Sequence, residues 1–445
     1  MTEPLHGPDA VPGLGQVAAD WIRDRLGGTP PGVVGDPVAL GSALRGSLTD
    51  DGLGVDGGWN MFRDVVAPAN TGLDSDRFLA FIPVSPSAAA VWMDAVVSAA
   101  NFSAESWLEA AGAVAAEREV IDLLVRTAGL PSTASGCFMS GGSIGNLSAL
   151  AVARDQAGDR RTVVVADTAH ASIDNALHLL GMTPLVVDTG AACRLTGDAV
   201  RAATAGRDDI AAVVAAGGST NAGIVDDLDG CADVAAELGA WFHVDGAYGL
   251  AALLLPEMAS AFRGIERADS FIVDPHKWLF APAGSCALVY RRPDLARRTH
   301  TQHGPYIDVL HTTDDATAYN PSDLGYQLTR RASGLPVWFA LTVHGLEAHR
   351  VAIRRGIDMA ARMADALEAS PVTSLVMSPQ LGVVLFRRDG WTASDWSAWA
   401  TRCLDEQIAF VAPTTYRGEA VGRLVFMHPS TPDSIVDELM TTLGA

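Results

Sequence analysis

Lysine is almost absent from this chain: of the 31 Lys and Arg residues among 445, Lys277 is the only lysine. Such scarcity is what the codon bias of a GC-rich genome produces, and it leaves arginine and histidine as the other basic side chains. Cysteine is scarce too: the five, Cys137, Cys193, Cys231, Cys286 and Cys403, are odd in number, widely spaced and without a C-x-x-C pair. That pattern indicates neither a disulfide framework nor a zinc site, so reduced thiols in a cytoplasmic protein and no metal are expected. Long hydrophobic runs are also missing. The most apolar early stretch, Ala88 to Ala100, is interrupted by Asp94, and the amino terminus opens on proline, aspartate and glycine. No targeting or membrane-spanning segment is expected. Positive charge is in deficit, with a formal balance of -21, which argues against nucleic acid or an anionic membrane as a main partner. No internal repeat or low-complexity tract is visible.

What is present is a 49% hydrophobic chain, enough for a large core and for two domains with a terminal segment. Residues 1–75 read as an arm. They carry one amphipathic helix candidate with Val17, Trp21, Ile22 and Leu26 on a face, then a Gly/Pro-rich stretch from Gly27 to Gly58. From about Leu108 the pattern is helical through Leu130-Pro131. Helices then alternate with strand candidates Thr162–Ala166, Leu185–Asp188, Ile210–Ala215, Trp241–Asp245, Phe271–Val273 and Ser285–Tyr290. This alternation predicts an α/β large domain, residues 76–345, around a mostly parallel sheet. Between Arg291 and Asp323 periodicity is lost and His300, His303, Gly304, Pro305 and His311 gather, the mark of a functional or disordered loop. A long helix from about Pro336 to Ala369 leads into a small C-terminal α+β domain, residues 346–445. Its strand candidates are Val383–Arg387 and Leu424–His428, and its helix candidates Ser394–Leu404 and Asp433–Leu443.

The lone lysine stands at the end of a strand, in Phe271-Ile272-Val273-Asp274-Pro275-His276-Lys277-Trp278. Open α/β sheets bind ligands there. A desolvated lysine can lose its proton and attack a carbonyl, which a guanidinium cannot do. Four further stretches sit at strand ends. Ser140-Gly141-Gly142-Ser143 precedes a helix, where small residues and the helix N-terminus suit a phosphate; a plain turn and cap is the alternative. His170-Ala171-Ser172 offers an imidazole to stack on a flat ring, although a loop histidine is commonly solvated. Gly218-Ser219-Thr220-Asn221-Ala222-Gly223 is a hydroxyl-rich loop or a simple turn. Trp241-Phe242-His243-Val244-Asp245-Gly246-Ala247 ends an apolar strand on a carboxylate, which needs a partner such as a pyridinium N–H unless it caps a helix. Lys277 to carry an aldehyde, Asp245 to keep a ring nitrogen protonated, Ser143 for a phosphate and His170 for a ring face together point to pyridoxal 5'-phosphate.

With these residues, the chain resembles the group II pyridoxal phosphate-dependent amino-acid decarboxylases, the family of aromatic L-amino-acid and glutamate decarboxylases. The resemblance is clear over about residues 75 to 345. SGGSIGNL at 140–147, HAS at 170–172, GSTNAG at 218–223, HVDGAYG at 243–249 and DPHKW at 274–278 carry it. It implies the aspartate-aminotransferase-like fold (fold type I) and a homodimer with shared active sites, the arm wrapping its partner. It also implies that Gly142, Ser143 and His276 hold the phosphate and Thr220 contacts the cofactor. His170 and Ala247 would flank the ring, Asp245 would pair with its nitrogen and Lys277 would carry it. Gly304-Pro305-Tyr306-Ile307 resembles a mobile-loop motif whose tyrosine protonates Cα in the neighbouring subunit; Tyr319 and Tyr326 lie in the same region. Arg77 to Pro83 resembles the substrate-side segment, placing Phe81 and Ile82 at the side-chain pocket with Phe102 opposite, while Glu105 lies near in sequence. Core packing is the other reading of that aromatic pair.

The sequence departs from the family at Ile144 and Gly145, at Asn175 where a lysine is common, and at Leu250. None of these removes a cofactor contact. The expected reaction is decarboxylation of an L-amino acid with an aromatic or other apolar side chain to the amine and carbon dioxide. The alternatives are a decarboxylating aldehyde synthase, an aminotransferase, a decarboxylase of an acidic amino acid, or a catalytically silent binding homologue.

Overall fold

The computed structural model describes residues 10–82, 85–311 and 319–444. Residues 1–9 of the expected arm, residue 83 at the end of the Arg77–Pro83 segment with residue 84 after it, and 312–318 of the expected loop lie outside them. A seven-stranded sheet organises the chain: β1 (Ser135–Met139), β2 (Thr162–Ala166), β3 (Thr183–Val187), β4 (Ile210–Ala216), β5 (Trp241–Asp245), β6 (Ser270–Val273) and β7 (Cys286–Tyr290). Its order is β1-β7-β6-β5-β4-β2-β3, and only β7 runs against its neighbours. Helices cover both faces, so the central strands are apolar on both sides. Successive residues therefore enter different cores: Val213 and Phe271 pack on one face, Ala212, Val214 and Ile272 on the other.

The alternation of strands and helices read from the sequence is present, with edges displaced by one or two residues. Strand β1 was not anticipated. Its residues, Ser-Gly-Cys-Phe-Met, include no β-branched side chain, so strand propensity is weak; pairing with β7 and burial of four of the five supply what the local sequence does not.

A second, antiparallel sheet, ordered β10-β11-β9-β8, forms from β8 (Thr373–Leu375), β9 (Val383–Arg388), β10 (Thr414–Tyr416) and β11 (Glu419–Val425). Here the expected strand Leu424–His428 is corrected to Glu419–Val425. Arg417 and Gly418, with φ of 48° and 84°, make a two-residue hairpin turn that starts β11 early. Past Val425 the chain leaves the ladder, and the Phe426 amide bonds the Gly382 carbonyl instead (2.7 Å). The long helix Leu335–Ala369 links the two sheets and is broken at Gly345 (φ 74°, ψ 167°).

The arm helix Leu14–Leu26 buries none of its residues, and Val17 and Leu26 are exposed. Arg25 ties this helix to the far end of the arm by a two-pronged pair with Asp74, at 2.6 and 2.8 Å.

Deeper in the molecule, Arg330 and Glu117 form a fully buried pair at 2.5 and 3.0 Å, and Glu117 also accepts the Gly334 amide at 2.9 Å. The pair ties the start of the long helix to helix Trp107–Thr127. Arg330→Met leaves a buried carboxylate without its cation, so unfolding in urea should show a loss of about 3–5 kcal/mol. A loss below about 1 kcal/mol would contradict this account.

Candidate active site

The carboxyl ends of β1, β2, β4, β5 and β6 open on one cavity of about 310 Å³. Parallel strands all point their free ends to the same edge of the sheet, so loops distant in sequence converge there. Lys277 follows β6, and its Nζ lies 3.0 Å from Asp274 Oδ2. Burial pulls the ammonium pKa down, but the Asp274 and Asp245 carboxylates outweigh it and hold the pKa above the ordinary lysine value. Asp274 is itself buried, and its Oδ1 has no hydrogen-bond partner.

One end of the cavity suits an anion. Helix Gly142–Gln156 begins there without a side-chain cap, so its first amides are free of intrahelical partners. Gly142 is required by close approach: a Cβ on it would lie 2.9 Å from Asp274 Oδ2. Ser143 and His276 also line the cavity. The His276 Nδ1–H donates to the Ser285 carbonyl (2.5 Å), which leaves Nε2 facing Asp274 Oδ2 at 3.7 Å.

Asp245, at the end of β5, also lines the cavity. It is not without protein partners, as its position at a strand end had implied. Asn146 Nδ2 donates to Oδ2 at 2.9 Å and the Ala247 amide to Oδ1 at 3.1 Å. A carboxylate has about four acceptor positions, so capacity remains for a ligand N–H. The next helical turn, Gly249–Leu254, has no side-chain cap, so Asp245 does not serve as one.

His170 does cap a helix, accepting the Ser172 amide at 3.2 Å, and it lines the cavity as well. Thr220 and Ala247 complete the set of expected cofactor contacts at the wall.

The expected substrate residues divide. Phe81 and Ile82 stand at the mouth of the cavity, beside Ala412 and Pro413 from the C-terminal unit. Phe81 has φ 52° and is 62% exposed, a strained backbone for a bulky residue and common at binding sites. Phe102 does not line this cavity; it is exposed, and its carbonyl accepts the Ala332 amide (3.2 Å). Glu105 bonds the Ser103 hydroxyl (3.1 Å), away from the mouth. Tyr306 is 78% exposed on a turn closed by the Ile307 amide and Gly304 carbonyl (2.8 Å), and it does not line the cavity of its own chain. Tyr319 is buried with its hydroxyl on the Gly136 carbonyl, a structural role.

Three functional candidates escaped the sequence. Asn146 touches Asp245. Thr168 lines the cavity with a buried hydroxyl that lacks a partner. Arg423, on β11, is buried at the mouth and bonds the carbonyls of Phe81 (2.8 Å), Thr220 (2.7 Å) and Asn221 (3.2 Å). Burial lowers its pKa to about 10, so it stays a cation at neutral pH. A lone arginine in an apolar strand was the available signal.

Among the described residues no cluster of three or more His, Cys, Asp or Glu side chains could hold a metal ion. No described helix is long and apolar enough to cross a membrane.

The pyridoxal-dependent decarboxylase conserved domain matches residues 59–389. The aromatic-L-amino-acid decarboxylase of Bacillus atrophaeus is 30% identical over 97% of this chain and 94% of its own length. The L-2,4-diaminobutyrate decarboxylase of Rhizobium meliloti (strain 1021) is 33% identical over 79% of this chain and 74% of its own. Among solved structures, Oryza sativa TDC with PLP and tryptamine superposes with a TM-score of 0.91 at 26% identity, covering 100% of this chain and 99% of that one.

Proposed function

Since the chain belongs to the pyridoxal-dependent decarboxylase family and is a carboxy-lyase acting on an L-amino acid, we propose that its substrate has an aromatic side chain. The observation that carries this reading is the mouth of the cavity. Phe81, Ile82, Ala412 and Pro413 are apolar, the only charged described residues there are the cations Lys277 and Arg423, and no described carboxylate lines it. The side-chain ammonium of a diaminobutyrate would be desolvated there without a counter-charge. An aromatic ring buries its area against Phe81 and Ile82 at no such cost. Tryptamine, the amine that accompanies PLP in the Oryza sativa TDC structure, is of this class.

The side chains present fit pyridoxal 5'-phosphate: an uncapped helix start for the phosphate, a single amine lining the same cavity, and a carboxylate with spare acceptor capacity. When bound, the cofactor supplies a conjugated ring that takes up the electron pair left as carbon dioxide departs. Lys277 would hold it through Nζ. Gly142, Ser143 and His276 would hold its phosphate, and His170 and Ala247 would confine its ring, with Thr220 beside it. Asp245 would hold a proton at the nitrogen facing it. Arg423 would orient a substrate carboxylate, since its guanidinium faces the mouth with backbone carbonyls as its only described hydrogen-bond partners.

The proposed assembly is a homodimer in which residues 1–75 wrap the partner around a large domain, 76–345, and a small one, 346–445. The exposed apolar residues Val17 and Leu26 of the arm support it, as do Tyr306 and Phe102, which are exposed and do not line the cavity of their own chain. Each would serve the neighbouring site, Tyr306 as proton donor to Cα and Phe102 at the substrate. Five free, buried cysteines support a reducing, cytoplasmic setting.

Incubation of the loaded protein with pooled L-amino acids, read by mass spectrometry, tests the substrate: an aromatic amino acid should lose carbon dioxide. Preferential loss from diaminobutyrate or glutamate would overturn the aromatic assignment. Tyr306→Phe should slow amine formation by roughly 10²–10⁴-fold, the usual contribution of a positioned proton donor. Substrate binding should change little, and oxygen should convert part of the substrate to aldehyde, ammonia and peroxide. Mixing Tyr306→Phe with Lys277→Arg protomers should restore activity in part, because one site of a heterodimer then carries neither defect. Amine formation by Tyr306→Phe at the normal rate would assign the proton to another group.

A further inference from the structure

A chain of buried hydrogen bonds runs behind the Asp245 carboxylate and returns to the cavity at His170. The Trp241 indole N–H donates to Ser270 Oγ (2.8 Å), and Ser270 Oγ meets His243 Nδ1 (2.8 Å). His243 Nε2 meets Asn146 Oδ1 (2.9 Å). Asn146 Nδ2 then serves two acceptors, Asp245 Oδ2 (2.9 Å) and Ser172 Oγ (3.0 Å), and Ser172 Oγ meets His170 Nδ1 (2.8 Å). Asn146, His243 and Ser270 are all buried, so none of these groups can exchange its partner for water.

The direction of each hydrogen follows from groups with a single role and from the neutral state of the buried His243 ring. A carboxylate only accepts, so the amide nitrogen of Asn146, not its oxygen, must face Asp245. Asn146 Oδ1 then faces His243, whose Nε2 must carry a hydrogen. Burial pulls the His243 pKa down to about 4, so the ring is neutral and its Nδ1 accepts the Ser270 hydroxyl hydrogen. Trp241, which can only donate, fits the lone pair left on Ser270. At the other end the Ser172 hydroxyl accepts from Asn146 and donates to His170 Nδ1, and the Ser172 amide points at the same nitrogen (3.2 Å). His170 Nδ1 is thereby an acceptor, and the ring hydrogen lies on Nε2.

We propose that Asn146 is a positioning residue, the hub of a one-way hydrogen-bond chain that orients the Asp245 carboxylate and the His170 ring together. The amide spends both of its hydrogens on these two jobs, and His243 holds it in the only orientation that allows them. The chain links the carboxylate that would pair with the cofactor nitrogen to the imidazole that would flank its ring. The inference rests for its consequence on reading the cavity as a pyridoxal phosphate site, but its first test does not use the cofactor.

That test is ¹⁵N NMR of the cofactor-free protein labelled at histidine, with the signals assigned by their loss in His170→Gln and His243→Gln. Both rings should carry their hydrogen on Nε2. Asn146→Leu deprives His243 Nε2 of its acceptor, so the His243 signals should move to a mixture of tautomers; Asn146→Asp restores an oxygen there and should restore the wild-type signals. A hydrogen on Nδ1 of either ring in the wild-type protein, or His243 signals indifferent to Asn146→Leu, overturns the chain. In the loaded enzyme Asn146→Asp sets a second carboxyl group against Asp245, so the two share a proton and less negative charge faces the cofactor nitrogen; kcat should fall roughly 10- to 100-fold with KM little changed. Wild-type kcat in Asn146→Asp would remove Asn146 from the positioning role. Should Asn146→Leu fail to fold, the wild-type tautomers and Asn146→Asp still decide. Correct tautomers in a protein that decarboxylates nothing would refute the functional reading and leave the chain standing.

Discussion

Lys277→Arg should give a folded protein that decarboxylates nothing. Arginine keeps the positive charge beside Asp274, whose Oδ2 now lies 3.0 Å from Nζ, so the buried carboxylate is not left without a cation. It does not keep the nucleophile, because a guanidinium is never deprotonated at accessible pH and cannot condense with a carbonyl. The rest of the chain offers no substitute, for no second lysine exists. Borohydride reduction of the loaded wild-type protein, followed by peptide mapping, should place the cofactor's carbon on Lys277 alone, and the variant should take no label. The amine also has to lose a proton before it can react. Asp274 and Asp245 hold its pKa above the ordinary lysine value, so covalent loading should quicken as pH rises. Label on any other residue, or normal turnover by Lys277→Arg, would end the cofactor assignment.

Asp245→Asn should cost turnover roughly two to four orders of magnitude while sparing the fold. Breaking a buried charge pair by removing one partner is worth about 3–5 kcal/mol, and each 1.36 kcal/mol is a factor of ten in rate. The fold should survive because asparagine can keep one oxygen toward the Ala247 amide (3.1 Å). The Asn146 amide (2.9 Å) would then face either that oxygen's neighbour nitrogen or a turned side chain, so the hydrogen-bond chain from Trp241 is strained at its last link. Cofactor binding measured by equilibrium dialysis should weaken far less than kcat falls, since the phosphate end and Lys277 are untouched. Turnover within tenfold of wild type would assign Asp245 a structural part only.

Strands β2 to β7, the lone lysine and the strand-end motifs were legible because each is written within a dozen residues. An apolar run of five or six residues flanked by glycine, serine or aspartate records burial on both faces of a sheet, and the register of helices between such runs dictates a parallel arrangement. Lys277, Asp245, His170 and Ser143 could be found this way because parallel strands carry their C-terminal loops to one edge whatever the strand order. What lay beyond local pattern is what depends on that order. Asn146 meets Asp245 and His243 across 99 and 97 residues, and Arg423 meets the Phe81 carbonyl across 342. Such contacts leave no periodicity in the sequence. Strand β1 became a strand through its ladder with β7, against its own weak propensity. Phe102 and Tyr306 follow the same rule in reverse: a local motif identifies a residue type at a loop, but only packing decides that both side chains are exposed and leave the cavity of their own chain unlined by them. The sequence by itself therefore determined which chemistry this protein carries. The tertiary structure decided which side chains aim it, because hydrogen-bond direction and burial are properties of neighbours in space.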